Sequence, residues 1–240
     1  MRADSRGRAD YGLDAPRVVR NLLAIGAALI LTGILADIGG VRLLSWWGLL
    51  SGSSMLGTGL LMVWGSRVGK RQLATRTIEG LALRGGERIL DVGCGHGLLL
   101  IAAAKKLATG RALGVDIWSE RDQADNRPAV TLRNADLEGV RDRVRLCEGD
   151  ARALPFPDAS FDVVVSSLAI HNIARRTERM KALQEIARVV RPTGRILIID
   201  IARTAEYARA LRDARFGEIR RSRPNFMFLL PVHVLTAIRR

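Results

Sequence analysis

The residues best suited to chemistry stand in one short run, Asp91-Val92-Gly93-Cys94-Gly95-His96-Gly97, directly after the apolar pair Ile89-Leu90. An acid ends a buried strand, and glycines at alternate positions then open a helix. Glycine reaches backbone angles closed to other residues and lets a ligand lie against the main chain. The dinucleotide pattern is Gly-x-Gly-x-x-Gly, which presents a helix N-terminus to a pyrophosphate. Here the pattern is Gly-x-Gly-x-Gly with an acid in front. That acid repels a phosphate and suits a cationic, amine-bearing ligand.

More acids follow at matching places. Asp116 ends the run Gly114-Val115-Asp116, ahead of Ile117, and a carboxylate at a second strand end can accept both hydroxyls of a ribose. Asp150 and Ala151 follow a third strand through Glu148-Gly149, and Ser166-Ser167 close a fourth. Ligands of open α/β sheets bind at the carboxyl ends of strands, and each of these four ends carries a polar group.

The positioning elements are legible in the hydrophobic pattern. Apolar runs at 88–92, 111–117, 143–148, 161–166 and 195–200 read as strands. Helical patterns lie at 67–83, with Leu73, Ile78 and Leu81 inward, and at 97–108, 128–139 and 175–190. In the last, Met180, Leu183, Ala187 and Val190 share a face, and Arg191-Pro192-Thr193-Gly194 stops the helix and turns into the next strand. Such alternation implies a parallel sheet with helices on both faces. Candidate strands at 217–223 and 232–238 would close it with an antiparallel hairpin.

Upstream the composition changes twice, giving three segments: a basic one at 1–17, an apolar one at 18–66, and the α/β domain at 67–240. Arg2, Arg6, Arg8, Arg17 and Arg20 outnumber the acids of the N-terminal stretch. Asn21 to Ala36 then carries no charge, nor does Leu43 to Ser66, and a polar break around Gly39-Gly40 separates them. A bilayer core needs about 20 apolar residues in a helix. These two segments read as a transmembrane helical hairpin, with Trp46, Trp47 and Trp64 as interfacial anchors and Gly48 and Gly52 as a close-approach pair. Arginines before the pair, and Arg67, Lys70, Arg71 and Arg76 after it, place both termini and the domain on the cytoplasmic side of the cell membrane. A buried soluble hairpin is the alternative, since Ser51, Ser53, Ser54 and Thr58 dilute the second segment. A cleaved signal peptide fits poorly, because the apolar stretch comes twice.

The net charge of +14 draws the chain to polyanions, either nucleic acid or an anionic membrane. Its two cysteines, Cys94 and Cys147, form no Cys-x-x-Cys pair, which argues against a disulfide framework or a structural zinc; no metal is expected.

Together ILDVGCGHG, GVDI, EGDARALPFPDASFDVVVSS and EIARVVRPTGRILIID resemble, in order and spacing, the class I S-adenosylmethionine-dependent methyltransferases. The resemblance covers about 85 to 200 and lies nearest the type 11, quinone-biosynthesis-like group that acts on small molecules. It implies a Rossmann-like, mostly parallel seven-stranded sheet flanked by helices, and S-adenosylmethionine as cofactor. It also implies that Asp91, Gly93, Cys94 and Gly95 surround the methionine part, and that Asp116 holds the ribose with Ile117 against the adenine. Asp150 and Ala151 would meet the adenine edge, and Ser166 would line the methionine end.

His171, just after the fourth strand, is the candidate base, needed only if the nucleophile must lose a proton. The alternative is a hydrogen-bonded loop histidine. His96 in the glycine loop is expected to touch cofactor or backbone, and His233 to be structural. In the stretch from Asp116 to Gln123, Trp118 suits stacking on the adenine, lining a substrate entry, or a lid over the sheet edge.

No Asn/Asp-Pro-Pro-Tyr/Phe sequence follows the fourth strand, and no Pro-Cys nucleophile is present, so nucleic acid is a poor substrate. Beyond residue 202 nine arginines face Glu206, Asp213 and Glu218, a distribution suited to an anionic leaflet. The expected acceptor is therefore a small lipophilic molecule reached at the cytoplasmic membrane face. A non-catalytic, membrane-tethered binding module and an RNA methyltransferase stand as the other two classes.

Overall fold

The structure is a computed structural model that describes residues 7–119, 125–228 and 230–240. The basic residues Arg2 and Arg6, and the stretch from Glu120 to Gln123, lie outside the described residues. The chain divides into two compact units: Leu13–Lys70, and Arg71–Arg240 together with the N-terminal residues up to Gly12.

The first unit is a pair of antiparallel helices, α1 (Pro16–Ile38) and α2 (Arg42–Trp64). Pro16 opens α1 with its φ already set for a helix, and Gly40, at φ 75°, makes the turn between the helices. They meet on glycines. A Cβ at Gly48 would fall 2.7 Å from the Leu29 carbonyl oxygen, and one at Gly52 would fall 2.6 Å from that of Gly26. At the open end Ser66 accepts the Asp14 amide at 3.0 Å, and Lys70 reaches the Asp14 carboxylate at 3.3 Å. Leu35, Leu43, Trp46, Trp47, Leu50 and Leu60 face outward. Among the described residues one helix, α1, is long and apolar enough to cross a membrane, with mean hydropathy 2.0 over its best window. Of the two expected spans α1 is the one the structure supports; α2 has the same 23 residues, but its serines and glycines dilute its apolar character.

The second unit is an α/β sandwich. After α3 (Lys70–Glu79) come β1 (Arg88–Val92), α4 (Leu98–Ala104), β2 (Arg111–Asp116), α5 (Pro128–Leu137), β3 (Val144–Glu148) and β4 (Phe161–Ser167). Then follow α6 (Arg176–Val189), β5 (Val190–Asp200), α7 (Thr204–Asp213), β6 (Phe216–Arg221), β7 (Asn225–Phe228) and β8 (Leu230–Arg239). The sheet order is β3-β2-β1-β4-β5-β8-β6, with short β7 paired to β8 alone. β1 to β5 run parallel, and β8 is antiparallel to both β5 and β6.

Successive residues of the central strands enter opposite cores, which is why these strands are apolar throughout. Ile89, Val163, Val165, Leu197 and Ile199 pack toward α3 and α4, where Leu73, Ile78, Leu99 and Leu100 are buried. Leu90, Val164, Ile196 and Ile198 pack toward α6 and α7, against Leu183, Ile186, Tyr207 and Leu211. The stop expected at 191–194 is a bulge inside β5: Val190 pairs with Phe161 and Arg195 with Val163, so the residues between are looped out around Thr193 at φ 63°. Helix α7 was not foreseen.

Residues 7–12 belong with the α/β unit. Ala9 and Tyr11 are buried in the α/β core, and the Arg71 guanidinium lies over the Tyr11 ring at 5.1 Å.

Candidate active site

The carboxyl ends of the parallel strands gather the expected residues on one edge. Register pairs Asp91 with Gly114 and Val165, Asp116 with Glu148, and Ser166 with Ile198. Asp91 is almost fully buried. Its Oδ2 accepts the Leu100 amide at 2.9 Å, capping α4, while its Oδ1 is buried with no partner. Burial pushes its pKa up to about 8, opposed by the Leu100 hydrogen bond and reinforced by the charge of Asp116.

The glycine loop is fixed from several sides. Gly93, at φ 71°, lies so near the turn after β4 that a Cβ there would sit 2.3 Å from the Ala169 Cβ. A Cβ on Gly97, at φ 86°, would meet Thr131 of α5 at 2.8 Å. Thr131 donates to the Gly95 carbonyl at 2.5 Å, and Asn134 donates to the His96 carbonyl at 3.0 Å. Asn134 also pairs with the backbone of Asp10, donating to its carbonyl at 2.7 Å and accepting its amide at 3.0 Å. Neither Thr131 nor Asn134 was singled out from the sequence, because a polar residue on an amphipathic helix carries no mark of an inward partner.

Asp116 is held as tightly. Its Oδ2 accepts the Gly95 amide at 2.8 Å, and its Oδ1 accepts the Trp118 amide at 2.8 Å and Asn126 Nδ2 at 3.1 Å. Asn126 is buried, and its own Oδ1 has no partner. Ile117 is exposed beside Asp116. Trp118, at φ 55°, packs against the core on the α4 side. The His96 ring meets the Asp125 carbonyl at 3.2 Å, the backbone contact expected of it.

The packing gives three of the expected residues partners of their own. The Cys94 side chain is buried in the core, where a Cβ on Gly114 would come within 2.7 Å of its Sγ, so only its backbone faces the loop. Burial pushes its thiol pKa well up. The Asp150 carboxylate is taken by Arg152, whose Nε lies 2.9 Å from both oxygens, and that pairing holds it below the usual carboxylate range. Ala151 beside it is half-buried. Ser166 is buried and donates to the Val92 carbonyl at 2.8 Å, tying β4 to β1 where the two strands separate.

His171 lies in the short turn after β4, with its Nδ1 2.7 Å from Asp200 Oδ1 at the end of β5. Asp200 is fully buried and was not singled out; the available signal was an acid at the carboxyl end of a fifth strand. His233 Nδ1 donates to the Ser222 carbonyl 3.0 Å away, as a structural residue.

The site therefore offers a buried, unpartnered acidic oxygen at Asp91 and an anchored carboxylate at Asp116. A glycine loop with no room for side chains lies between them. This donor set fits a ligand carrying an ammonium group and a ribose. Residues 90–198 match a family model described as "Methyltransferase domain". Within the α/β unit, that stretch is a class I S-adenosylmethionine-dependent methyltransferase domain. S-adenosylmethionine is the methyl donor of this class. The methyltransferase domain is 36% identical over 116 residues to a demethylmenaquinone methyltransferase of Symbiobacterium thermophilum, covering 48% of this chain and 43% of that protein. It is 32% identical over 113 residues to the chloroplastic 2-phytyl-1,4-beta-naphthoquinone methyltransferase of Arabidopsis thaliana, covering 47% of this chain and 41% of that one. The chain thus spans less than half the length of these relatives. Among solved structures, the [4+2]-cyclase SpnF superposes with a TM-score of 0.57 at 20% identity, over 70% of this chain and 81% of that one. A cyclase on the same scaffold shows that the fold alone does not choose the reaction.

Proposed function

We propose that this protein transfers a methyl group from S-adenosylmethionine to a small lipophilic acceptor of the quinol type at the cytoplasmic membrane face. The observation that carries the reading is Asp91: a buried carboxyl with one oxygen unpartnered, next to a glycine loop and 2.8 Å-anchored Asp116. A cationic ligand supplies what that oxygen lacks. Asp91 and the backbone of Gly93, Cys94 and Gly95 hold the methionine part. Asp116 holds the ribose, and the exposed Ile117 covers the adenine. Asp150 and Ala151 border the adenine edge, and Ser166 shapes the floor through Val92.

The acceptor class rests on two supports. Two relatives are by name methyltransferases of demethylmenaquinone and of 2-phytyl-1,4-beta-naphthoquinone. The helix pair α1–α2 also presents an outward apolar surface with Trp46, Trp47 and Trp64, the residues expected at a bilayer interface. On this reading both helices insert as a tight hairpin, α2 relying on its glycine contacts with α1 to shield its less apolar face. Both ends and the methyltransferase domain then lie in the cytoplasm, against the anionic leaflet.

The test is calorimetric titration of S-adenosylmethionine into the full chain in anionic nanodiscs, beside Asp116→Ala. Micromolar binding by the wild type and a loss of at least about tenfold in the variant is expected, the equivalent of roughly 1.4 kcal/mol. A folded wild-type protein that binds no S-adenosylmethionine overturns the reading.

A further inference from the structure

The turn that carries His171 is held more firmly than a surface loop requires. It begins at Leu168, whose φ of 53° is a left-handed angle for a non-glycine residue, and its amide donates to Ile199 of β5 at 2.9 Å. The segment after β5 carries a second such residue, Arg203 at φ 59°, whose guanidinium reaches the His171 carbonyl at 3.4 Å. Beyond the turn, the buried Arg179 of α6 donates to the Ile173 and Ala174 carbonyls at 2.8 Å and pairs with Glu206 of α7 at 3.3 Å. Strain of this kind persists only where the surroundings over-determine the backbone, and it clusters at functional sites.

The centre of the arrangement is Asp200. A carboxylate has about four lone-pair sites; here three hydrogen bonds reach it, and the His171 ring nitrogen stands close by without completing a fourth. Its Oδ1 accepts the Ile201 amide at 2.7 Å and lies 2.7 Å from His171 Nδ1. Its Oδ2 accepts the His171 amide at 3.2 Å and the Tyr207 hydroxyl at 3.3 Å. The imidazole approaches off the axis of its ring N–H, an arrangement common in ligand-free sites that tightens when substrate is bound. A carboxylate at one ring nitrogen fixes the tautomer and leaves the other nitrogen as a base. The ring is one-fifth exposed while Asp200 is closed to solvent, so the imidazole is the member of the pair that a substrate can reach. The same turn touches the glycine loop, through Ala169 against Gly93.

We propose that His171 is the proton acceptor of the methyl transfer, with Asp200 and Tyr207 as its positioning residues, and that the site therefore takes an acceptor whose nucleophile begins as a hydroxyl. This rests on the S-adenosylmethionine reading above. A thioether offers its electron pair with no proton to lose, and needs no base before attack; a quinol hydroxyl does, because the oxygen that attacks must give up its proton. The hydroxyl proton passes to His171 Nε2, and the phenolate electron pair forms the bond to the methyl carbon. The carbon–sulfur bond breaks with its pair left on sulfur, giving a neutral thioether. If the new bond forms at the ring carbon beside the hydroxyl, that carbon's proton moves to the oxygen as aromaticity returns. In either case one proton remains on His171 and then leaves to solvent.

The experiment has two arms on the full chain in anionic nanodiscs. In the first, nitrogen-15 histidine NMR reads the His171 tautomer without any acceptor. The wild type should show Nδ1–H with Nε2 free, and Asp200→Asn should shift that population. An Nε2–H ring in the wild type, or a tautomer unmoved by Asp200→Asn, overturns the positioning role. In the second arm, turnover is measured with demethylmenaquinol in the same discs, alongside S-adenosylmethionine affinity. His171→Gln should lower kcat by about 100-fold or more with affinity for S-adenosylmethionine and KM held within about twofold, and Tyr207→Phe should lower kcat by less. A kcat for His171→Gln within twofold of wild type overturns the proposal. Wild type that binds S-adenosylmethionine but leaves the quinol unmethylated overturns the acceptor class. Wild type that fails to bind S-adenosylmethionine instead overturns the reading on which the proposal stands.

Discussion

On the proposed reading, Asp91 serves function against stability. Its carboxyl titrates near 8 in the folded chain against an ordinary 3.8. Between those values the folded state keeps a proton that the unfolded chain has lost, so this group lowers stability as pH rises from 3.8 to about 8. Asp91→Asn removes the charge and keeps an oxygen for the Leu100 amide. It should raise the melting temperature at pH 8 by a few degrees, about 2–4 °C per kcal/mol for a chain of this size, and weaken S-adenosylmethionine binding by tenfold or more. Differential scanning fluorimetry and calorimetry on one preparation check both. A variant that is less stable at pH 8 would show that Asp91 already has a counter-charge. A cationic ligand favours the ionised form, so binding at pH 7 should release protons and tighten as pH approaches 8; titrations in buffers of different ionisation enthalpy measure that release directly.

At the scale of elements, positions are set by contacts that sequence spacing does not reveal. Helix α5 holds the glycine loop through Thr131 and Asn134, and Asn134 also clasps the N-terminal residues. Asn134→Ala leaves the Asp10 amide and the Asp10 and His96 carbonyls without that partner; the His96 carbonyl is the buried one, and a buried group so stranded costs about 1–3 kcal/mol. The full chain should lose about 2–3 kcal/mol on urea titration followed at its α/β transition, and bind S-adenosylmethionine more weakly; an unchanged midpoint would remove Asn134 from this role. The helix pair is set by backbone approach. Gly52→Leu puts a branched side chain where even a Cβ would lie 2.6 Å from a carbonyl oxygen, so the helices must part. Spin labels on α1 and α2 should show the separation grow by several Å. The strands and α3 to α6 were legible from apolar spacing, since the sandwich buries both faces of the sheet. α7 was missed although its buried residues Thr204, Tyr207 and Leu211 stand at helical spacing, because only two of them are large and apolar within ten residues.

For the whole molecule the question is how it meets the membrane. If α1–α2 inserts as a hairpin, carbonate extraction and high salt should both leave the full chain in the membrane pellet, since hydrocarbon burial is indifferent to screening. Release by salt alone would show attachment by the arginine-rich surface, with the helix pair outside the bilayer. The net charge of +14 favours the anionic surface under either outcome.

By itself the sequence determined the class of the α/β unit, because strand ends, glycines and acids in a fixed order can be read as a linear pattern. It also placed Asp91, Asp116 and His171 at the right strand ends. Only the tertiary structure decided what their oxygens and nitrogens face. It sent Cys94 into the core, gave Asp150 to Arg152, and left one oxygen of Asp91 unpartnered. It also set Asp200 beside His171 across two neighbouring strands. The reason is physical. Periodicity reports which side of an element is apolar, a property of each residue alone, whereas a hydrogen bond or an ion pair belongs to two groups that the chain brings together only by folding.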